Sequence, residues 1–241
     1  MQRETPLVAD EVYHVYNRGA HKAEVFLDER DYFRFKLLLF LANTEREMHT
    51  ANLLNKYKGQ SFISIFEKEE VGQGLVDVLG YALMPNHFHL ILRQKAEEGI
   101  SRFMKKVSTG YSMYFNKKHE HSGTVFQGPF KSRHVESGDY LRWLFAYVAL
   151  NPLDLHAPNW KEDGFEALPS DAVSFLTNYA HASFPDIGAG RVRPERVIIN
   201  FDALKELEED VPSFDDVKHL VGVVSHFEYT QELRYLGSKK G

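Results

Sequence analysis

Residues 75–93 constrain the chain more than any other stretch. Two runs rich in Val, Leu and Ile, 75–83 and 87–93, flank a Met84-Pro85-Asn86 corner, and a proline at a strand start is tolerated where one inside a central strand is not. The pattern predicts two strands joined by a tight corner. Side chains alternate along a strand, so Phe88, Leu90 and Leu92 face one way while His87 and His89 face the other, roughly 7 Å apart at the backbone. Neutral imidazole is the commonest protein metal ligand. Two histidines on a half-exposed strand, taken by themselves, read more readily as having no task.

The rest of the first 155 residues supplies partners for such a hairpin. Residues 11–17 alternate, are rich in β-branched and aromatic types, and end at Arg18-Gly19, which reads as a first strand and a turn. Residues 28–47 carry Tyr32, Phe33, Phe35, Leu37, Leu38, Phe40 and Leu41 at helical spacing, with Asp28 or Asp31 as the cap. Residues 49–74 are indecisive, with a polar helical stretch near 51–58, and read as an insertion over the surface. Ile100, Phe103, Met104, Val107, Tyr111, Tyr114 and Phe115 give a helix over Gly99–Lys118 with a basic outer face. A fourth strand is predicted near 132–135. Ser137 or Asp139 caps a helix from 140 to 150, which Pro152 stops near Asn151. The order strand, helix, strand, strand, helix, strand, helix predicts an α+β fold, an α/β sandwich whose antiparallel sheet is backed by helices on one face. Residues 1–155 are expected to form the main domain and 156–241 a small, mainly helical appendage.

Composition narrows the chemistry. The chain has no cysteine, which removes disulfides, thiolate sites and cysteine nucleophiles together. No run approaches the 18 or more apolar residues of a membrane span, and the first residues lack the apolar core of a signal peptide, so a soluble cytoplasmic protein is expected. The net charge is -5, but it is uneven. Residues 93–133 are basic, and the stretch after Phe201 is acidic, so the total hides a basic face.

Tyr147 and Asn151 are one turn apart on the last predicted helix and share a face. If that face docks beside the histidines, a divalent metal held by His87 and His89 takes the Asn151 amide oxygen as third ligand, with Tyr147 near its open positions. Three neutral ligands leave the ion's charge nearly intact, which suits polarising a phosphodiester. A phenol is a poor nucleophile at neutral pH without a nearby positive centre or base.

Four ordered motifs carry a resemblance: Met84-Pro85-Asn86-His87-Phe88-His89-Leu90, Gly110-Tyr111-Ser112-Met113-Tyr114-Phe115-Asn116, Gly123-Thr124-Val125-Phe126-Gln127-Gly128, and Tyr147-Val148-Ala149-Leu150-Asn151-Pro152. Together they resemble the REP-associated tyrosine transposases, members of the single-tyrosine HUH family, over residues 8–155. The resemblance implies an HUH-nuclease, ferredoxin-like core. It implies a metal, Mg2+ or Mn2+, on His87 and His89, with Asn151 as further ligand and Tyr147 as nucleophile. The implied reaction is attack of tyrosine on single-stranded DNA beside a hairpin, giving a 5′-phosphotyrosine and a free 3′-hydroxyl, with strands rejoined by reversal. In related enzymes the tyrosine helix can be exchanged between two subunits, which keeps a homodimer open beside a monomer.

DNA contacts are expected from Arg18, Lys105, Lys106, Lys117, Lys118, Lys131 and Arg133, with bases stacking on Phe126. The alternative for these lysines is an ordinary solvated helix face. Relatives read Gln-Gly-Arg-Phe where this chain has Gln127-Gly128-Pro129-Phe130, so Lys131 and Arg133 are the candidates to replace the missing arginine. Tyr111 and Tyr114 are rival nucleophiles, but they sit in an apolar stripe and read better as core. Two other functions stay open: a domesticated hairpin-binding regulator without turnover, and a metal hydrolase that uses water.

Overall fold

The computed structural model describes residues 6–46, 52, 55–58, 63–69, 74–214 and 216–226. Half of the insertion expected at 49–74, including part of the helical stretch near 51–58, lies outside the described residues, as does Asp215 of the acidic stretch.

Four strands, β1 (Val12–Arg18), β2 (Val76–Met84), β3 (His87–Gln94) and β4 (Lys131–His134), form an antiparallel sheet in the order β2-β3-β1-β4. The β2-β3 hairpin is thus central and edge at once, and β1 closes over its inner side. Its tip is pinned by the chain before the first long helix: Pro85 O accepts from Val25 N at 2.8 Å and Phe26 N at 3.0 Å, and Asn86 O accepts from Gly19 N at 2.8 Å.

The long helices are α1 (Glu29–Leu41), α3 (Gly99–Lys118) and α4 (Gly138–Leu150); a single described turn, α2 (Ser64–Lys68), falls between the first two. Asp28, not Asp31, caps α1, accepting from Arg30 N at 2.9 Å and Asp31 N at 3.2 Å. The Asp31 carboxylate is buried and takes the Leu27 amide at 2.9 Å, the Lys118 ammonium at 2.7 Å and the His119 imidazole at 3.0 Å, which ties α1 to the end of α3. Both helices cover the sheet face that bears Phe88. The Phe35 ring lies 5.0 Å from that of Phe88 and 5.1 Å from that of Tyr111.

α4 lies on the other face. The expectation of helices on one side is therefore corrected to helices on both, because each strand of the hairpin buries both of its faces: all nine residues of β2 are buried. Pro152 does not end the chain's helical course. α4 stops at Leu150, and a 3-10 turn, Asn151–Leu155, continues from it with proline in its first turn, where no amide hydrogen is needed. That tightening keeps Asn151 one turn below Tyr147.

Residues beyond 155 were expected to be an appendage. They are short helices in the described part, but they are built into the same core. Leu83 N donates to His181 O and Ser183 N to Tyr81 O, each at 2.9 Å, and Asn200 N donates to Val78 O at 2.9 Å. These bonds cover the free edge of β2, which would otherwise offer an unpaired apolar strand. Arg93 pairs with Asp77 at 2.8 Å and with Glu206 at 2.6 Å, and Lys36 with Glu195 at 2.6 Å.

Candidate active site

His87 and His89 point from β3 toward α4, with ring centroids 5.0 Å apart. The sheet register places further groups on that face. Arg18 stands opposite His87, Tyr16 opposite His89 and His14 opposite Ile91, while β4 sets Lys131 against Tyr16 and Arg133 against His14. The Tyr147 ring stands edge-on to His89 at 5.4 Å and to His14 at 6.3 Å. It is fixed along its own helix by a stack in which Tyr140 and Trp143 lie 5.4 Å apart and Trp143 and Tyr147 5.0 Å apart.

Each histidine of the pair has one ring nitrogen engaged. His87 Nδ1 donates to Asn86 Oδ1 at 2.6 Å. His89 Nδ1 lies 2.8 Å from His14 Nε2, and the tautomer in which His89 donates leaves its Nε2 lone pair available, as it is on His87. A neighbour holding the far nitrogen of an imidazole is the usual way a metal ligand is oriented. Burial lowers the proton affinity of all three rings: His87 moderately, His89 well below the usual histidine value, and His14 to about 4, with Arg133 adding to the last effect. All three are neutral at pH 7, the form that binds metal.

Asn151 is 1 % exposed, and neither its Oδ1 nor its Nδ2 has a hydrogen-bond partner. It lies beside His87, whose proton affinity it raises against the effect of burial. A buried carbamoyl group with both ends unsatisfied costs on the order of 1–3 kcal/mol per group. A cation on the two imidazoles and the Asn151 oxygen would remove part of that cost, so these three residues fit a divalent metal. Among the described residues no three His, Cys, Asp or Glu side chains form a group that could hold a metal ion, so a metal here would need the Asn151 amide as a further ligand.

The structure thus brings Tyr147, His87, His89 and Asn151 together, with Arg18, Lys131 and Arg133 on the same face. Arg18 and Lys131 are exposed, and the Arg133 guanidinium sits 4.7 Å over the Tyr140 ring. The remaining expected contacts lie elsewhere. Lys105 and Lys117 are exposed on α3, across the sheet from Tyr147. Lys106 Nζ donates to Thr44 O at 2.6 Å and Arg46 O at 3.0 Å, and Lys118 is held by Asp28 and Asp31. Phe126 is 6 % exposed and packs 5.6 Å from Phe88, so its expected role as a stacking platform is corrected: the ring is core. Tyr111 is buried too, and its hydroxyl donates to Val25 O.

Four neighbours of the site escaped the sequence reading. Asn86 stood inside the quoted motif, directly before His87. His14 and Tyr16 share a face with Arg18 by simple alternation, but nothing local says that β1 lies beside β3. Lys161, whose ammonium lies 5.2 Å over the Tyr147 ring, comes from a segment with no recognisable motif.

The four-stranded antiparallel sheet, with helices on both faces, carries a histidine pair on its central hairpin against a helix-borne tyrosine and asparagine. The family model described as IS200-like transposase matches residues 38–151, from within α1 through β2, β3 and α3 to Asn151, and over that stretch the chain is similar to this family. A comparison with curated proteins finds no match. Among solved structures the chain is similar to one described as a REP-associated tyrosine transposase bound to a REP hairpin, at 10 % identity and a TM-score of 0.46, covering 81 % of this chain and 90 % of that one. Among the described residues no helix is long and apolar enough to cross a membrane.

Proposed function

We propose that this protein is a metal-dependent transposase that nicks and rejoins single-stranded DNA beside hairpins through a 5′-phosphotyrosine on Tyr147. The observation that carries the reading is the Tyr147 ring set edge-on to His89 at 5.4 Å while the unsatisfied Asn151 amide lies beside His87. His87, His89 and Asn151 would hold Mg2+ or Mn2+, which supplies a Lewis acid for a phosphoryl oxygen. The preference for hairpin-flanked strands rests on the motif resemblance.

The chain's own residues do the remaining work. Tyr147 Oη attacks phosphorus, the bond from phosphorus to the 3′ oxygen breaks, the phenolic proton leaves to solvent, and the departing 3′ oxygen takes one up. Attack of a 3′-hydroxyl on the phosphotyrosine reverses the sequence and frees the tyrosine, so no nucleotide cofactor is consumed. The Tyr140-Trp143-Tyr147 stack restricts the ring to a narrow range of positions, which lowers the entropic cost of in-line attack. Arg18, Lys131 and Arg133 offer charge for the strand's phosphates on the same face. Lys105 and Lys117 would serve only DNA that reaches the opposite face.

The test is incubation of hairpin-flanked, labelled single strands with Mg2+ or Mn2+, resolved on a denaturing gel. A covalent adduct that is present in the native chain and absent in Tyr147→Phe is expected. Tight binding with no adduct under either metal would instead mark a hairpin-binding regulator, and cleavage that survives Tyr147→Phe would mark a water-using hydrolase.

A further inference from the structure

The 3-10 turn after α4 and the short helix Trp160–Asp163 fold a second cationic group onto the tyrosine. Asp154 organises it. Its Oδ1 accepts from Trp160 Nε1 at 2.7 Å and its Oδ2 from Lys161 Nζ at 3.2 Å, so one carboxylate fixes both the helix and the lysine. Trp160 is buried at 1 % exposure, which leaves the turn little freedom. Lys161 keeps 23 % of its side chain exposed, and its ammonium lies 5.2 Å from the Tyr147 centroid and 5.4 Å from that of Trp160. A lysine has three donors, and one is used by Asp154.

We propose that Lys161 binds the scissile phosphate beside Tyr147, with Asp154 as its positioning residue, so that the region after 155 completes the active site. The inference rests on the reading of Tyr147 as nucleophile. Lys161 would neutralise charge on the non-bridging oxygens as the pentavalent transition state forms, a task that needs a fixed cation more than a mobile one. The geometry also accounts for the 3-10 turn, which brings residue 161 back to within one ring of residue 147.

Two readouts test it in the full chain. The first is equilibrium binding of a single-stranded oligonucleotide to Tyr147→Phe and to Tyr147→Phe/Lys161→Ala in EDTA across a salt series. Loss of one phosphate contact is expected to reduce the slope of log affinity against log salt by about 0.7. The second is the rate of adduct formation at saturating DNA with Mn2+. Lys161→Ala is expected to slow it about a hundredfold, with most of the rate restored in Lys161→Arg and a partial loss in Asp154→Asn. An unchanged salt slope overturns the proposal, and so does a changed slope with a native adduct rate, which would make Lys161 a peripheral contact. If the native chain forms no adduct on any strand, the nucleophile reading fails instead, and the salt slope still decides whether Lys161 binds phosphate.

Discussion

At the scale of single residues, the proposed metal ligands are themselves held by neighbouring groups. His14 fixes His89 through one hydrogen bond of 2.8 Å. His14→Ala is expected to weaken Mn2+ binding by about 10–100-fold, measured by calorimetric titration, because an unrestrained imidazole pays orientation entropy on binding. An unchanged affinity would show that His89 is held by packing alone. The two tyrosines separate in the same way. Tyr147→Phe should abolish the adduct while the ring and its stack remain. Tyr111→Phe should keep the adduct but lower stability by about 1–3 kcal/mol in denaturant titration, because Val25 O is left buried without its donor. Sequence pattern placed Tyr111 in the core, where the structure has it, since an apolar stripe at helical spacing is a local property. It could not separate Lys118 from Lys131: both are single cations in a basic stretch, and only the partners Asp28 and Asp31, 90 and 87 residues away, make the first one structural.

At the scale of elements, α1 and α3 are joined through one buried carboxylate. Asp31 receives a backbone amide, an ammonium and an imidazole, and these hold it ionised against the effect of burial. Asp31→Ala is expected to cost roughly 2–4 kcal/mol, less than a fully buried pair because Lys118 keeps 22 % of its side chain exposed. Chemical denaturation would read it, and a cost below about 1 kcal/mol would show that water replaces the carboxylate. The elements themselves were legible. Alternation on β1 and β3, a cap at Asp28 or Asp31 and another at Ser137 or Asp139, of which the structure uses the first of each, and the helical stripe of Gly99–Lys118 each arise from neighbours a few residues apart. The passage from α4 into a 3-10 turn was not. Asn151 adopts helical angles before a proline, against its local preference, because its side chain is buried in the site and the turn packs Leu153 into the core.

At the scale of the whole molecule, the stretch after 155 decides both stability and shape. A chain ending at residue 155 is expected to aggregate or to lose its cooperative transition, because it exposes the β2 edge and removes Ala182, Ile198, Ile199 and Leu204 from the shared core. A sharp thermal transition in that shortened chain would show that residues 1–155 stand alone. The same region sets an acid sensitivity. His181 is stacked 3.7 Å from the Tyr32 ring, and burial lowers its proton affinity to about 4 although Glu29 opposes the shift. The unfolded chain therefore takes up this proton first as pH falls, so stability should decline from about pH 6.5 and level off near pH 4. His181→Gln should flatten part of that slope in denaturation midpoints measured between those limits.

The sequence by itself determined the strands and helices, the shared face of His87 and His89, and the one-turn spacing of Tyr147 and Asn151, because all of these follow from backbone periodicity over a few residues. Only the tertiary structure decided which face of the sheet α4 covers, which cations share it with the histidines, and that Lys161 returns to the tyrosine. Those outcomes depend on pairings between residues tens of positions apart, such as Arg18 with His87 and Ala82 with Ala182, and no local pattern specifies them.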